Sequence, residues 1–125
     1  LEQTDPGAPA VCHHDLGRAN LLVSGGRLLA LDWEYVAMGS RWFDLAVVAR
    51  GRQLAEDALE ELLGTYLGRN PGDAERRALA AQDLLSRYLE VLWHATGQGG
   101  DAAGYPLEAE AAALGELLGV SPGNY

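Results

Sequence analysis

The apolar positions of this chain follow a strand-like spacing near its beginning. Two short apolar runs, residues 21–23 and 28–31, flank Gly25 and Gly26. A two-residue Gly-Gly link between such runs is a strong signal for a β-hairpin. The pattern therefore predicts two antiparallel strands joined by a tight turn at these glycines.

From residue 41 onward the apolar residues recur every three or four positions, which predicts amphipathic helices. The breaks between the helices contain glycine and proline. Ser40 is a plausible N-cap of the first helix, and Asn70 or Asp73 can cap the third. The predicted helices cover residues 41–51, 54–67, 73–96 and 107–118.

One hairpin and four helices define an α+β fold. At 125 residues and 48% hydrophobic composition, the chain can bury one modest core and is too short for two sizeable domains. We therefore expect residues 1–125 to form a single lobe.

The hairpin brings oxygen-bearing side chains to its open end. With the glycines in the turn, the register places Asn20 opposite Leu31, and Asp32 follows one residue later. Asp15 lies five residues before Asn20, across a loop in which Gly17 would permit a tight return. The sequence thus predicts that three oxygen-bearing groups meet where the two strands end.

An amide and a carboxylate at one place suit Mg²⁺, which takes few protein ligands and completes its shell with water and phosphate oxygens. A separate carboxylate nearby could act as a base. Phosphoryl transfer to a hydroxyl needs this combination of a metal that neutralises phosphate charge and a group that orients and deprotonates the attacking oxygen.

Composition narrows the other possibilities. The chain has 18 acidic and 9 basic residues, a net charge of −9, which argues against a nucleic acid partner. Its single cysteine, Cys12, cannot form an internal disulfide and suits a reducing compartment. No apolar run approaches the roughly 20 residues of a membrane span, and no signal sequence is visible. We therefore expect a cytoplasmic protein without a membrane partner.

The pattern His13-x-Asp15-x-x-x-x-Asn20, followed by Asp32-Trp33-Glu34-Tyr35, resembles the catalytic loop and metal-binding Asp of the aminoglycoside phosphotransferase/choline kinase family. The residues after the metal Asp are most similar to the choline, ethanolamine and thiamine kinase branch. The resemblance implies the mostly helical C-terminal lobe of a protein-kinase-like fold, and an enzyme that transfers phosphate from ATP to a small-molecule hydroxyl.

The resemblance also implies residue roles. Asp15 would be the catalytic base, while Asn20 and Asp32 would bind Mg²⁺. His13 would brace the loop. Asp44 matches a family Asp that holds the backbone of the catalytic loop from the start of the following helix, which is a structural role.

For four further residues, the sequence leaves a functional and a structural role open. Arg18, inside the loop, could touch a phosphate of the bound nucleotide or sit in solvent. Glu34 and Tyr35 could hold a cationic substrate, as an acid and aromatic rings do in the choline kinase branch, or form a half-buried strand end. Trp93 could line the substrate pocket or pack in the core.

The chain contains no lysine and no glycine-rich phosphate loop. Kinases of the resembled family hold the nucleotide with a lysine in an N-terminal lobe. We therefore expect a C-terminal lobe whose partners are a small-molecule alcohol and a missing N-terminal lobe, and whose activity in isolation is nearly absent.

Two other functions remain open at this point. One is a non-catalytic binding or regulatory module that kept the lobe but lost the nucleotide site. The other is a two-metal hydrolase using His13, His14, Asp15 and Asp32, although such sites need more ligands than the sequence offers. Neither the substrate nor the oligomeric state follows from the sequence.

Overall fold

The computed structural model describes residues 7–97 and 104–119 and shows an α+β chain, as predicted. A 3-10 turn, Arg18–Asn20, precedes the second strand. The strands are β1 (Ala10–Cys12), β2 (Leu21–Ser24), β3 (Arg27–Ala30) and β4 (Ala37–Gly39), and the helices are α1 (Arg41–Gly51), α2 (Glu56–Leu67), α3 (Asp73–Ala95) and α4 (Leu107–Leu118).

The hairpin of β2 and β3 has the predicted register. Leu21 pairs with Ala30, and Ser24 pairs with Arg27 next to the turn. Gly25 and Gly26 both have positive φ, 57° and 73°. Two successive positive φ values match a type I′ turn, whose twist suits the flanking strands, and this explains why two glycines occupy the link.

A second two-stranded sheet was predicted only in part. The apolar residues Val11 and Cys12 predict a short strand at β1, but no pattern in the sequence predicts its partner. In the structure β1 pairs antiparallel with β4, with Val11 opposite Met38. Strand β4 is only three residues long and too short for an alternating pattern, so its pairing depends on contacts distant in sequence.

The predicted helices are all present, with α1 and α4 at the expected residues and α2 beginning at Glu56. Ser40 caps α1 as expected, its hydroxyl accepting from the amide of Trp42 at 3.4 Å. The cap predicted for α3 was wrong. Gly72 precedes the helix, and its amide donates to Glu75 Oε2 at 2.8 Å. This is the hydrogen bond that the glutamate of a capping box accepts.

The chain divides into two compact units, the first ending at Asp83 and the second beginning at Leu84. The first holds both sheets, α1, α2 and the start of α3, around a core formed by Trp42, Ala46, Leu63, Ala78 and Leu79. The second holds the rest of α3 and α4. The assignment of all 125 residues to one lobe stays a prediction.

In the part of the chain that the structure describes, no helix combines the length and apolar character needed to cross a lipid bilayer.

Candidate active site

The carboxylate of Asp44 holds the backbone where β1 ends. Its Oδ2 accepts from the amide of His13 at 2.7 Å, and its Oδ1 accepts from the amide of His14 at 2.9 Å. Asp44 lies in the first turn of α1, where the helix dipole favours negative charge. One carboxylate on a helix therefore fixes two successive amides immediately before Asp15.

The imidazole of His13 is buried and links the two halves of the motif. Its Nε2 lies 2.7 Å from the carbonyl of Leu31, and its Nδ1 lies 3.2 Å from the amide nitrogen of Asp15. A carbonyl only accepts and an amide N–H only donates, so these contacts require the tautomer that carries its proton on Nε2. His13 thus ties the backbone of Asp15 to the residue before Asp32.

The 3-10 turn brings Asn20 back to Asp15. Asn20 Nδ2 donates to the carbonyl oxygen of Asp15 and to its Oδ2, both at 2.9 Å. Gly17 was expected to permit this return through its conformational freedom, but its φ is −71°, which any residue adopts. The return comes instead from the 3-10 turn, in which the amide of Asn20 donates to the carbonyl of Gly17 at 3.1 Å.

Asp32 lies at the open end of the hairpin beside Asn20, as the register predicted. The amide of Leu31 donates to the carbonyl of Asn20 at 2.9 Å, which extends the ladder by one bond. Asp32 is exposed and has a φ of 61°, an uncommon value for a residue with a side chain. Residues held in such conformations are concentrated at functional sites.

The amide oxygen of Asn20 and the carboxylate of Asp32 are of the chemical kind that a divalent cation with few protein ligands takes. Nδ2 of Asn20 donates to Asp15, and Oδ1 of Asn20 has no hydrogen bond among the described residues. The carboxylate of Asp32 also has none among these residues. The described ranges contain no cluster of three or more His, Cys, Asp or Glu residues able to hold a metal. The hypothesis of a two-metal hydrolase therefore gains no support from the described residues.

Glu34 and Tyr35 form the centre of a turn that follows Asp32, closed by the amide of Val36 donating to the carbonyl of Trp33 at 3.2 Å. The pKa of Tyr35 is raised, chiefly by the negative charge of Glu34, then by desolvation and a hydrogen bond to Glu34. The charges of Asp15 and Asp32 also raise this pKa. Three carboxylates from separate parts of the motif thus act on one hydroxyl.

The remaining candidates are less closely connected. Arg18 is exposed on the 3-10 turn. Trp33 donates from Nε1 to the carbonyl of Ala30 at 2.9 Å and packs against the ring of His13, with centroids 4.7 Å apart. Trp93 lies in the second unit with 45% of its surface exposed, and its place in a substrate pocket stays a prediction.

Sequence reasoning missed the role of His14. This residue has a φ of 64°, and its Nδ1 donates to the carbonyl of Tyr35 at 3.3 Å. The signal was present, because histidine, asparagine and aspartate are the side-chain-bearing residues that most often adopt positive φ. Two adjacent histidines before an aspartate did not by themselves show which one needs that conformation.

Comparison with known proteins assigns the chain to a family. The sequence model of the phosphotransferase enzyme family, APH, matches residues 1–81, and the chain belongs to this family. The matched region contains Asp15, Asn20, Asp32 and Asp44.

Individual relatives agree with this assignment. The chain is similar to a solved choline/ethanolamine kinase family protein from Mesorhizobium loti, with a TM-score of 0.74 and 26% identity over 95% of the chain and 42% of that protein. It is 38% identical to Protein LicA of Haemophilus influenzae over 55 residues, which are 44% of the chain and 21% of that protein. It is 32% identical to a Protein LicA homolog of Metamycoplasma hominis over 93 residues, 74% of the chain and 35% of that protein.

The chain therefore spans between about a fifth and two fifths of the length of these relatives. The fold is that of the kinase-like choline kinase family, as the resemblance implied.

Proposed function

We propose that this chain is the substrate- and metal-binding lobe of an ATP-dependent phosphotransferase that acts on the hydroxyl of a small molecule. The observation that carries the proposal is the arrangement of Asp15, Asn20 and Asp32. Asp15 is exposed and fixed through Asn20, while Asn20 Oδ1 and the carboxylate of Asp32 remain open at the same hairpin end. Membership of the phosphotransferase family supports it.

The roles of these residues follow from their chemistry. Asp15 would accept the proton of the attacking hydroxyl, and its position is fixed by the amide of Asn20 and the ring of His13. Asn20 Oδ1 and Asp32 would hold Mg²⁺, which when bound neutralises phosphate charge. Arg18 would add positive charge near the nucleotide phosphates, and Asp44 would keep the loop in place.

The acceptor proposed is an alcohol of the choline, ethanolamine, thiamine or aminoglycoside type. Three carboxylates, those of Asp15, Asp32 and Glu34, act together on the hydroxyl of Tyr35. Such a surface favours a cationic molecule, and the ring of Tyr35 adds an aromatic face for it. Trp93 is proposed as a further substrate contact, as the resemblance implies. The similarity to the choline/ethanolamine kinase family protein of Mesorhizobium loti supports this substrate class.

The nucleotide would be held largely by a lobe outside these 125 residues, because the chain lacks lysine and a glycine-rich loop. We therefore expect the 125 residues alone to show almost no turnover, and measurable transfer by them would contradict this part of the proposal. We place the complete enzyme in the cytoplasm.

The test is phosphoryl transfer by the full-length protein that contains this chain. Choline, ethanolamine, thiamine and kanamycin are offered with Mg²⁺ and ATP, and the phosphorylated alcohol is detected by mass spectrometry. Asp15→Asn should lower kcat by about 10²- to 10⁴-fold, the usual contribution of a general base.

Glu61→Gln is the matched control, because it also neutralises an exposed carboxylate but on helix α2. It should leave kcat unchanged. If the full-length protein binds ATP and Mg²⁺ but phosphorylates no alcohol, a non-catalytic binding module replaces the proposed enzyme.

A further inference from the structure

We propose that His14 is a positioning residue that holds the Glu34–Tyr35 turn against the loop of Asp15 and so sets the affinity for the acceptor alcohol. This inference rests on the proposed function. It concerns a side chain to which the mechanism above gives no part, and it begins from the backbone of His14.

The backbone of His14 is held in a conformation that most residues avoid. Its φ is 64°, and its amide donates to Asp44 Oδ1 at 2.9 Å. The left-handed conformation costs a side-chain-bearing residue free energy relative to right-handed backbone, because its Cβ comes too close to the following carbonyl oxygen. A glycine would avoid this cost, so the presence of histidine indicates that the ring contributes something glycine cannot.

The ring of His14 has defined contacts on three sides. Its Nδ1 donates to the carbonyl of Tyr35 at 3.3 Å, and its centroid lies 5.3 Å from that of Phe43 on α1. On the third side lies Gly39 of β4, where a Cβ would come within 2.6 Å of Nε2. The ring therefore occupies space left by a missing side chain.

The hydrogen bond from Nδ1 connects two segments that must be aligned for transfer. His14 directly precedes Asp15, and the carbonyl of Tyr35 belongs to the turn that presents Glu34. The turn is short, and both of its central side chains are exposed. The hydrogen bond from His14 to the backbone of this turn fixes the side chains of Glu34 and Tyr35 relative to Asp15, and it does not involve the nucleotide site.

This position leads to a specific kinetic expectation. Loss of this hydrogen bond should weaken binding of the acceptor alcohol and leave binding of ATP unchanged. A merely structural role would instead lower stability and affect both substrates. Comparing the change in KM for the acceptor with the change in KM for ATP therefore distinguishes a positioning role from a purely structural one.

The experiment compares three variants of the full-length protein with wild type, using the best acceptor among choline, ethanolamine, thiamine and kanamycin. His14→Gly keeps the positive φ but removes the ring. His14→Asn also tolerates positive φ and can place an N–H donor near the position of Nδ1. Gln53→Gly is the matched control, because Gln53 has a φ of 51° and lies outside the site.

His14→Gly should raise the KM for the acceptor on the order of tenfold, equivalent to about 1.4 kcal/mol, with an unchanged KM for ATP. His14→Asn should recover most of the loss, and Gln53→Gly should match wild type in both constants. An unchanged acceptor KM in His14→Gly, or an equal rise for both substrates with a lower Tm, overturns the proposal. A wild-type protein that phosphorylates none of the four alcohols overturns the proposed function, and this inference with it.

Discussion

Asn20 donates two hydrogen bonds from its side-chain amide to Asp15, one to the carbonyl oxygen and one to Oδ2, each 2.9 Å long. The donors of this amide are thereby directed at the proposed base, and its oxygen is left for another ligand. One side chain orients Asp15 and, in the proposed mechanism, would also offer an oxygen to Mg²⁺.

The two proposed roles of Asn20, orienting Asp15 and binding Mg²⁺, can be separated by substitution. Asn20→Ala removes both, so the Mg²⁺ concentration for half-maximal activity should rise by about 10- to 100-fold while kcat falls. Asn20→Asp keeps an oxygen ligand but sets a carboxylate against Asp15, so kcat should fall while the Mg²⁺ requirement stays nearer to that of wild type. The measurement is the initial rate over a titration of free Mg²⁺.

Asn70→Ala is the control for these variants, since Asn70 lies in the exposed link before α3. It should leave the Mg²⁺ titration unchanged. An Asn20→Ala protein with the wild-type Mg²⁺ requirement would remove Asn20 from the metal site.

Asp44→Asn should destabilise the protein and reduce activity. Both carboxylate oxygens accept backbone amides, and an asparagine side chain has only one acceptor, so one N–H would face an NH₂ group. The expected loss in the free energy of unfolding is about 1.5 to 3 kcal/mol, the usual contribution of hydrogen bonds to a charged group. Urea denaturation measures it, with the exposed Asp57→Asn on α2 as the control. Equal losses for the two variants would show that Asp44 does not hold the loop.

Replacing Gly25 or Gly26 by alanine should cost about 1 to 2 kcal/mol of stability at each position. No atom lies within 4 Å of a Cβ built at either site, so only the positive φ opposes the change. Gly17→Ala is a matched control, because it too meets nothing within 4 Å but has a φ of −71°. Thermal unfolding should show a lower Tm for the hairpin variants and no loss for Gly17→Ala.

Glu75→Gln should destabilise the protein at neutral pH but not in acid. The pKa of Glu75 is lowered, first by its hydrogen bond with Arg69 and then by the amide of Gly72. A lowered pKa in the folded state means that the charged form stabilises the fold above the ordinary value of about 4.3, and that this stabilisation is lost as the pH falls further.

The difference in free energy of unfolding between wild type and Glu75→Gln should therefore be largest near about pH 7 and shrink below about pH 4. Urea denaturation at several pH values measures it. Glu61→Gln, on an exposed face, should show no such trend, and a constant difference for Glu75→Gln would refute the assigned cause.

Local patterns in the sequence were sufficient for most of the fold. The Gly-Gly link determined the register of the hairpin to the residue, and apolar spacing located all four helices. Strand β4 was missed because its three residues carry no periodic signal and gain their structure from pairing with β1. The cap of α3 was misassigned because the carboxylate that receives the amide of Gly72 lies within the helix, three residues further on.

The sequence pointed to candidate residues for the site but not to the contacts between them. Spacing and resemblance selected Asp15, Asn20 and Asp32 as candidates. They did not show that the ring of His13 spans from Asp15 to Leu31, nor that Asp32 has a positive φ. Such connections depend on side-chain direction in three dimensions, which no periodicity encodes.

The fit between the ring of His14 and Gly39 has a consequence for the evolution of the family. Since a Cβ at position 39 would come within 2.6 Å of Nε2 of His14, a larger residue at position 39 requires a smaller or displaced side chain at position 14. Homologues that carry a larger residue at position 39 should have a smaller one at position 14, so the two columns of a family alignment should co-vary although 25 positions separate them.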